Sequence, residues 1–173
     1  MWYKILLSII AIITLIIIQV TFLGSFSAYW SNFNLALAIL VILLFFLDFP
    51  MIMFFAVTAG FMLDLYSALP FGIFMLSVFT AALTAEFLLF NFFTNRSFYS
   101  VVFLGLAAVL AFNAAFLTLS GLTYLFNLSD FYLDSSYWRQ LIYQLINTWL
   151  ILIVLFLPIN KLSRKFKPNF ISS

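Results

Sequence analysis

The chain has 173 residues, of which 67% are hydrophobic, 21% aromatic and 7% charged, with a net charge of +2. A soluble domain carries about 25% charged residues, so this surface cannot be solvated by water, and no polar stretch is long enough to form a separate soluble domain. The sequence contains neither Cys nor His, which excludes disulfides, thiolate chemistry, His-ligated metals and Ser-His triads. The composition predicts an all-α polytopic integral membrane protein, one transmembrane domain over 1–173.

The first apolar run, 5–23, follows Lys4. At ~1.5 Å per residue it matches a hydrocarbon core ~30 Å thick. It exceeds the roughly 7–15 apolar residues of a cleaved signal peptide, so an uncleaved anchor is expected. Runs 35–47 and 51–69 come next, divided by Asp48-Phe49-Pro50. Proline disfavours helical geometry in the residue before it, and Asp favours a turn. The remaining runs are 71–93, 99–119 and 141–157. Counting 35–47 and 51–69 as two spans gives a six-helix bundle with cytoplasmic N- and C-termini. Lys4, Arg96, Lys161, Arg164, Lys165 and Lys167 then lie inside, and only Arg139 lies outside. A single kinked helix there would reverse the following loops, against the positive-inside rule. The second span is short and is expected to be tilted or locally thin.

Two outer loops result. One, 24–34, is uncharged and carries Tyr29 and Trp30, which suit the headgroup zone. The other, 120–138, carries Tyr124, Phe126, Phe131, Tyr132, Tyr137 and Trp138 beside Asp130 and Asp134. It reads as an interfacial segment or a docking surface. Asp134, Ser135 and Ser136 are placed to cap the last helix. The basic segment 160–173 is read as a cytoplasmic tail attracted to anionic lipid, with no need for nucleic acid. No internal repeat is visible.

Asp64 stands inside an otherwise apolar segment. An Asp at a helix centre costs roughly 2.5–3.5 kcal/mol on insertion scales, against about 0.3–0.6 gained by each Leu, Ile, Phe or Val, which makes an intramembrane acid a candidate functional site. Ala56, Gly60 and Asp64 fall at i, i+4 and i+8, a small-residue face that aims the acid at a neighbouring helix. The segment Gly60-x-x-x-Asp64-Leu65-x-Ser67-x-x-Pro70-x-Gly72 resembles the G-x-x-x-D-L-x-S-G-x-P-x-G stretch of the bacterial rod shape-determining protein MreD family, departing from it at Ala68, where that family has Gly and this chain is expected to turn less sharply. The layout of the whole chain is similar too. The resemblance implies a multi-pass protein of the bacterial plasma (inner) membrane and a non-catalytic subunit of the cell-elongation machinery. Its implied partners are an MreC-like bitopic protein, the actin-like MreB and peptidoglycan synthases, with no cofactor. Gly60, Asp64, Ser67, Pro70 and Gly72 are the motif residues.

Glu86 is the second acid. By helix rise Asp64 lies ~8 Å and Glu86 ~22 Å from the outer ends of their spans, too far apart for a shared proton or metal. Arg139 opens the last span on the outer side and can reach Asp64. An Asp64–Arg139 pair is therefore the favoured arrangement. The alternative is a protonated Asp64 bonded to Ser67 or to a helix backbone. Small-residue stripes (Ala56 and Gly60; Ser77, Ala81 and Ala85; Ala107, Ala111 and Ala115) predict that the third to fifth spans form the packing centre. Gln140, Gln144 and Asn147 line one face of the last span, and Gln19 and Asn113 are isolated amides. These read as intramolecular glue, as an interface for a partner's helix, or as a cavity for a small ligand. The last reading fits the alternative class, the substrate-binding subunit of an energy-coupling-factor transporter. With no nucleophile–base arrangement, phosphate loop or metal cluster in the sequence, no enzymatic activity is expected.

Overall fold

A computed structural model describes residues 13–22, 34–92, 98–127 and 135–165. Every described element is helical. Residues 13–17 are α-helical and run into a π-helical turn, Ile18–Phe22. Five α-helices follow: α1 (Leu35–Leu43), α2 (Phe49–Tyr66), α3 (Ile73–Phe92), α4 (Phe98–Leu125) and α5 (Ser135–Lys165). Among the described residues three helical stretches are long and apolar enough to cross a membrane: Phe49–Tyr66, Ile73–Phe92 and Ser100–Leu125.

The division at Asp48 is present. After Leu43 the backbone tightens into turns, with Phe46 N–H donating to Leu43 O at 2.9 Å and Leu47 N–H to Leu43 O at 2.9 Å. Asp48 is extended (φ −77°, ψ 155°), and Pro50 sits in the first turn of α2, where its missing N–H has no intrahelical partner to lose. Other boundaries differ from those expected. α2 ends at Tyr66 and not at 69, because Ser67 turns extended (φ −89°, ψ 151°). α4 runs on through Ser120-Gly121 to Leu125, and α5 begins at Ser135 and continues past Pro158. Isolated Gly, Ser and Pro do not end a helix whose backbone groups have no water to turn to. Asp134, most of loop 24–34 and residues 166–173 lie outside the described residues.

Packing is most extensive between α3 and α4 and between α2 and α3, and α1 touches all four other helices. α1 is enclosed: no residue from Asn34 to Phe45 is exposed, and Ala36, Leu37, Ala38, Leu40 and Val41 are wholly buried. Its shortness therefore requires no thinning of a bilayer around it, since protein surrounds it. Leu37, Leu40 and Val41 form one core with Ile16, Ile52, Val78, Leu104, Val109 and Leu152. The small-residue expectation holds for α2 and α3, where Ala56, Ala59, Ser77, Ala81, Ala82 and Ala85 are fully buried. It fails for α4. Ala107, Ala111 and Ala115 are only half-buried, and the helix buries Leu104, Gly105, Ala108, Val109, Phe112 and Asn113 instead.

Candidate functional site

The motif residues build one local structure, the hairpin between α2 and α3. Gly60 lies where the backbone of α3 passes close by: a Cβ there would stand 2.5 Å from Met75 Cα and 3.2 Å from its N and O. One turn later Asp64 is 4% exposed. Its carboxylate leaves its own helix and accepts three backbone N–H groups at the start of the next. Oδ2 accepts from Gly72 at 3.1 Å and Met75 at 3.0 Å, and Oδ1 accepts from Phe74 at 2.9 Å. These are donors that the first turn of a helix leaves without partners. Gly72 sits at the capping position and has no side-chain oxygen to offer, so Asp64 supplies it from across the hairpin. A carboxylate at this end also meets the positive end of the helix dipole.

The other motif residues shape the turn. Ser67 N–H and Oγ–H both donate to the main-chain oxygen of Asp64, each at 3.2 Å. The serine thus closes α2 without touching the carboxylate. Pro70 lies within the turn, and the neighbouring Phe71 ring packs edge-on to Phe61, centroids 5.4 Å apart. Gly72 has φ +100°, a conformation that glycine adopts without the penalty of a Cβ. Ala68 keeps a negative φ, Asn127 being the one non-glycine with a positive value among the described residues. The backbone conformation at 68 therefore does not call for glycine.

The expected Asp64–Arg139 pair is not formed. Both carboxylate oxygens are occupied by backbone donors, Arg139 is exposed, and no ion pair joins the two. A sequence reading matches charge to charge. The N–H groups of a helix start are equally good partners and are present in every sequence. The readable signal was the start of α3, Phe71-Gly72-Ile73, which lacks the Ser, Thr, Asp or Asn that caps most helices.

A second polar cluster joins α4 to α5. Asn113 Nδ2 donates to Val109 O at 2.8 Å and to Gln144 Oε1 at 3.1 Å, and Asn113 Oδ1 accepts from Tyr137 Oη–H at 3.1 Å. Gln144 and Asn147 are buried, whereas Gln140, on the same stripe, is exposed. The stripe therefore does not act as one docking face, because its deeper part is turned into this chain. One turn further along, Thr148 is 1% exposed, and its hydroxyl has no hydrogen-bond partner among the described residues. Gln19 repeats the logic of Asp64: its Oε1 accepts Ala36 N–H at 3.0 Å while Asn34, the local cap of α1, accepts Leu37 N–H at 3.3 Å. Sequence reading noted Gln19 and Asn113 only as amides, assigned Tyr137 to the interface, and did not single out Thr148.

Glu86 lies thirteen residues into α3, about 20 Å along the axis from the capped end. Its Oε2 is buried without a partner. Asp64 and Glu86 are thus not brought together. Among the described residues no group of three or more Asp, Glu, His or Cys could hold a metal ion. Comparison with protein families, with curated proteins and with solved structures finds no match to this chain.

Proposed function

We propose that this chain is a non-catalytic subunit of the bacterial cell-elongation machinery, of the MreD type, which holds partner proteins of peptidoglycan synthesis in the plasma membrane. In this reading the segment 13–22, α1 and α5 join the three long apolar helices as spans. Both termini face the cytoplasm, as the six-to-one distribution of basic residues favours, and the capped end of the bundle faces outward. The observation that carries the reading is the Gly60–Gly72 hairpin. Gly60 provides close backbone approach, Asp64 the cap, Ser67 the end of α2 and Gly72 the left-handed turn. The resemblance thus falls on residues that build one rigid feature, which is what a partner-holding protein requires. The test is depletion in a rod-shaped host. Cells are expected to become wide or round while uptake of small nutrients is unchanged. Normal shape with loss of uptake of one vitamin or metal would overturn the proposal.

One observation favours the transporter-subunit reading. The Asn113–Gln144–Tyr137 cluster lies one helical turn from a buried hydroxyl, Thr148, that no group among the described residues satisfies. If a small polar ligand completes that cluster, the purified protein will gain thermal stability with the ligand as RT ln(1 + [L]/Kd), and Thr148→Val will abolish the gain.

A further inference from the structure

The unpartnered oxygen of Glu86 has a geometric cause. Glu86 follows Met75 by about three turns of helix, so it stands on the flank of α3 that Met75 turns to Gly60 of α2. In this antiparallel pair, with Gly60 beside Met75, Glu86 is level with Phe49, the first residue of α2. It therefore meets the start of α2 as Asp64 meets the start of α3. The start of α2 has little to donate. Pro50 has no N–H, and the N–H groups of Met51 and Ile52 go to the main-chain oxygen of Asp48, at 3.0 and 3.1 Å. Glu86 Oε2 is thus buried with no hydrogen bond among the described residues. Asp48, at the same level, is an exposed acid. The helix that carries Lys161, Arg164 and Lys165, α5, packs on α4 and α1. Around Glu86 the surface is apolar and open: Phe46, Phe49, Met51, Phe87 and Phe90 are all exposed.

We propose that this end of the α2–α3 pair binds an aminophospholipid of the adjoining leaflet, with the primary ammonium on Glu86 and an acyl chain along the exposed rings. The proposal rests on reading α2 and α3 as membrane spans. A carboxylate oxygen that lacks a donor, set beside an open apolar face, fits an amphiphile with a cationic head. A primary ammonium brings three N–H donors and makes a charge-assisted bond. The site is also within reach of headgroups. Glu86 is six residues, about 9 Å, from the end of α3, and α2 begins at its level, so no helix turn of α2 lies between Glu86 and the membrane surface.

In the test, the purified full-length chain in lipid-free detergent is titrated with three lipids. Phosphatidylethanolamine has the primary ammonium, phosphatidylcholine has a quaternary one with no N–H, and phosphatidylglycerol has no cation. Thermal melts read the binding, because a ligand held only by the folded state raises its stability with concentration. Phosphatidylethanolamine alone is expected to raise the midpoint. Glu86→Gln should weaken its apparent affinity about tenfold, whereas Gln140→Leu, at the other end of the bundle, should leave it unchanged. A second readout needs no variant. A hydrophobic carbodiimide, which reacts with carboxyl groups, should label Glu86 in the wild-type chain, and phosphatidylethanolamine but not phosphatidylcholine should protect it. Equal stabilisation by the other two lipids, full affinity in Glu86→Gln, or labelling of Glu86 indifferent to phosphatidylethanolamine would overturn the proposal. So would a double-mutant cycle coupling Glu86 to Arg96, which would make the partner a residue of this chain. Any of these failures leaves the elongation role standing, since that role is tested by cell shape on depletion.

Discussion

Asp48 and Asp64 stand at opposite ends of the same helix, and the wrong one looks like a cap. Asp48 immediately precedes α2, the position where an Asp normally accepts N–H bonds, yet its side chain makes no capping bond and it is exposed. Asp64 lies inside an apolar run and caps a helix that begins nine residues later. The two ends of the bundle differ in the same way. At one end Gln19, Asn34, Asp64 and Asn113 are each engaged with a neighbouring turn or helix. At the other, Asp48 makes no cap and Glu86 Oε2 is buried alone. Gln19, Asp64 and Asn113 thus join helices, whereas Asp48 and Glu86 Oε2 do not. Sequence proximity to a helix start is a good guide where water competes for the N–H groups. In an apolar bundle, whichever carboxylate can reach them takes the role.

The contrast is sharpest in Asp64→Leu against Asp48→Ala. Removing the Asp64 carboxylate orphans three backbone donors, each worth about 1–3 kcal/mol when buried, so Asp64→Leu should cost at least about 3 kcal/mol and deplete the folded protein in membranes. Asp64→Asn should fall between, because the amide keeps one acceptor and turns a donor towards an N–H. Asp48→Ala should shift the unfolding midpoint in detergent by less than about 0.5 kcal/mol. Equal losses from Asp64→Leu and Asp48→Ala would remove the distinction.

Gly60→Ala is expected to cost about 1–3 kcal/mol, since the new methyl group meets the Met75 backbone, which cannot yield without parting α2 from α3. Gly105→Ala meets only the Leu152 side chain, whose flexible end can shift where a backbone cannot, and should cost less; thermal melts of the two variants side by side would check this. At the other end the sign reverses. Glu86→Leu removes a buried unpaired oxygen and should raise stability by about 1 kcal/mol, read from the same melts. The smallest effect is expected from a double-mutant cycle of Asn113→Leu and Gln144→Leu, with a coupling of about 0.6 kcal/mol, the average for interhelical hydrogen bonds in membranes.

Much of the helical layout was legible because apolar runs of this length have few alternatives to the helix, and Asp48-Phe49-Pro50 correctly divided α1 from α2. The inward direction of Asp64 followed from its spacing with Ala56 and Gly60. Its partner did not, because backbone donors leave no trace in composition. The extension of α4 to Leu125 was missed because Ser120 and Gly121 signal a loop only where water can take over the backbone bonds. The buried faces of α4 were misjudged because a chain apolar all round carries no periodicity to say which side turns inward. The same uniformity hid the enclosure of α1.

That enclosure sets an order of assembly. α1 leaves the ribosome before α4 and α5, yet both help to wall it in. Until they arrive, a helix of nine residues, about 14 Å long, has nothing around it that matches its length. It must wait, held by its own Asn34 cap, by Gln19 and by the helix that follows it. The last helices to be made are thus the ones that complete the housing of one of the first. A chain cut short before Phe98 is expected to leave α1 unhoused and to be cleared from the membrane by proteolysis, however well α2 and α3 have closed on Asp64.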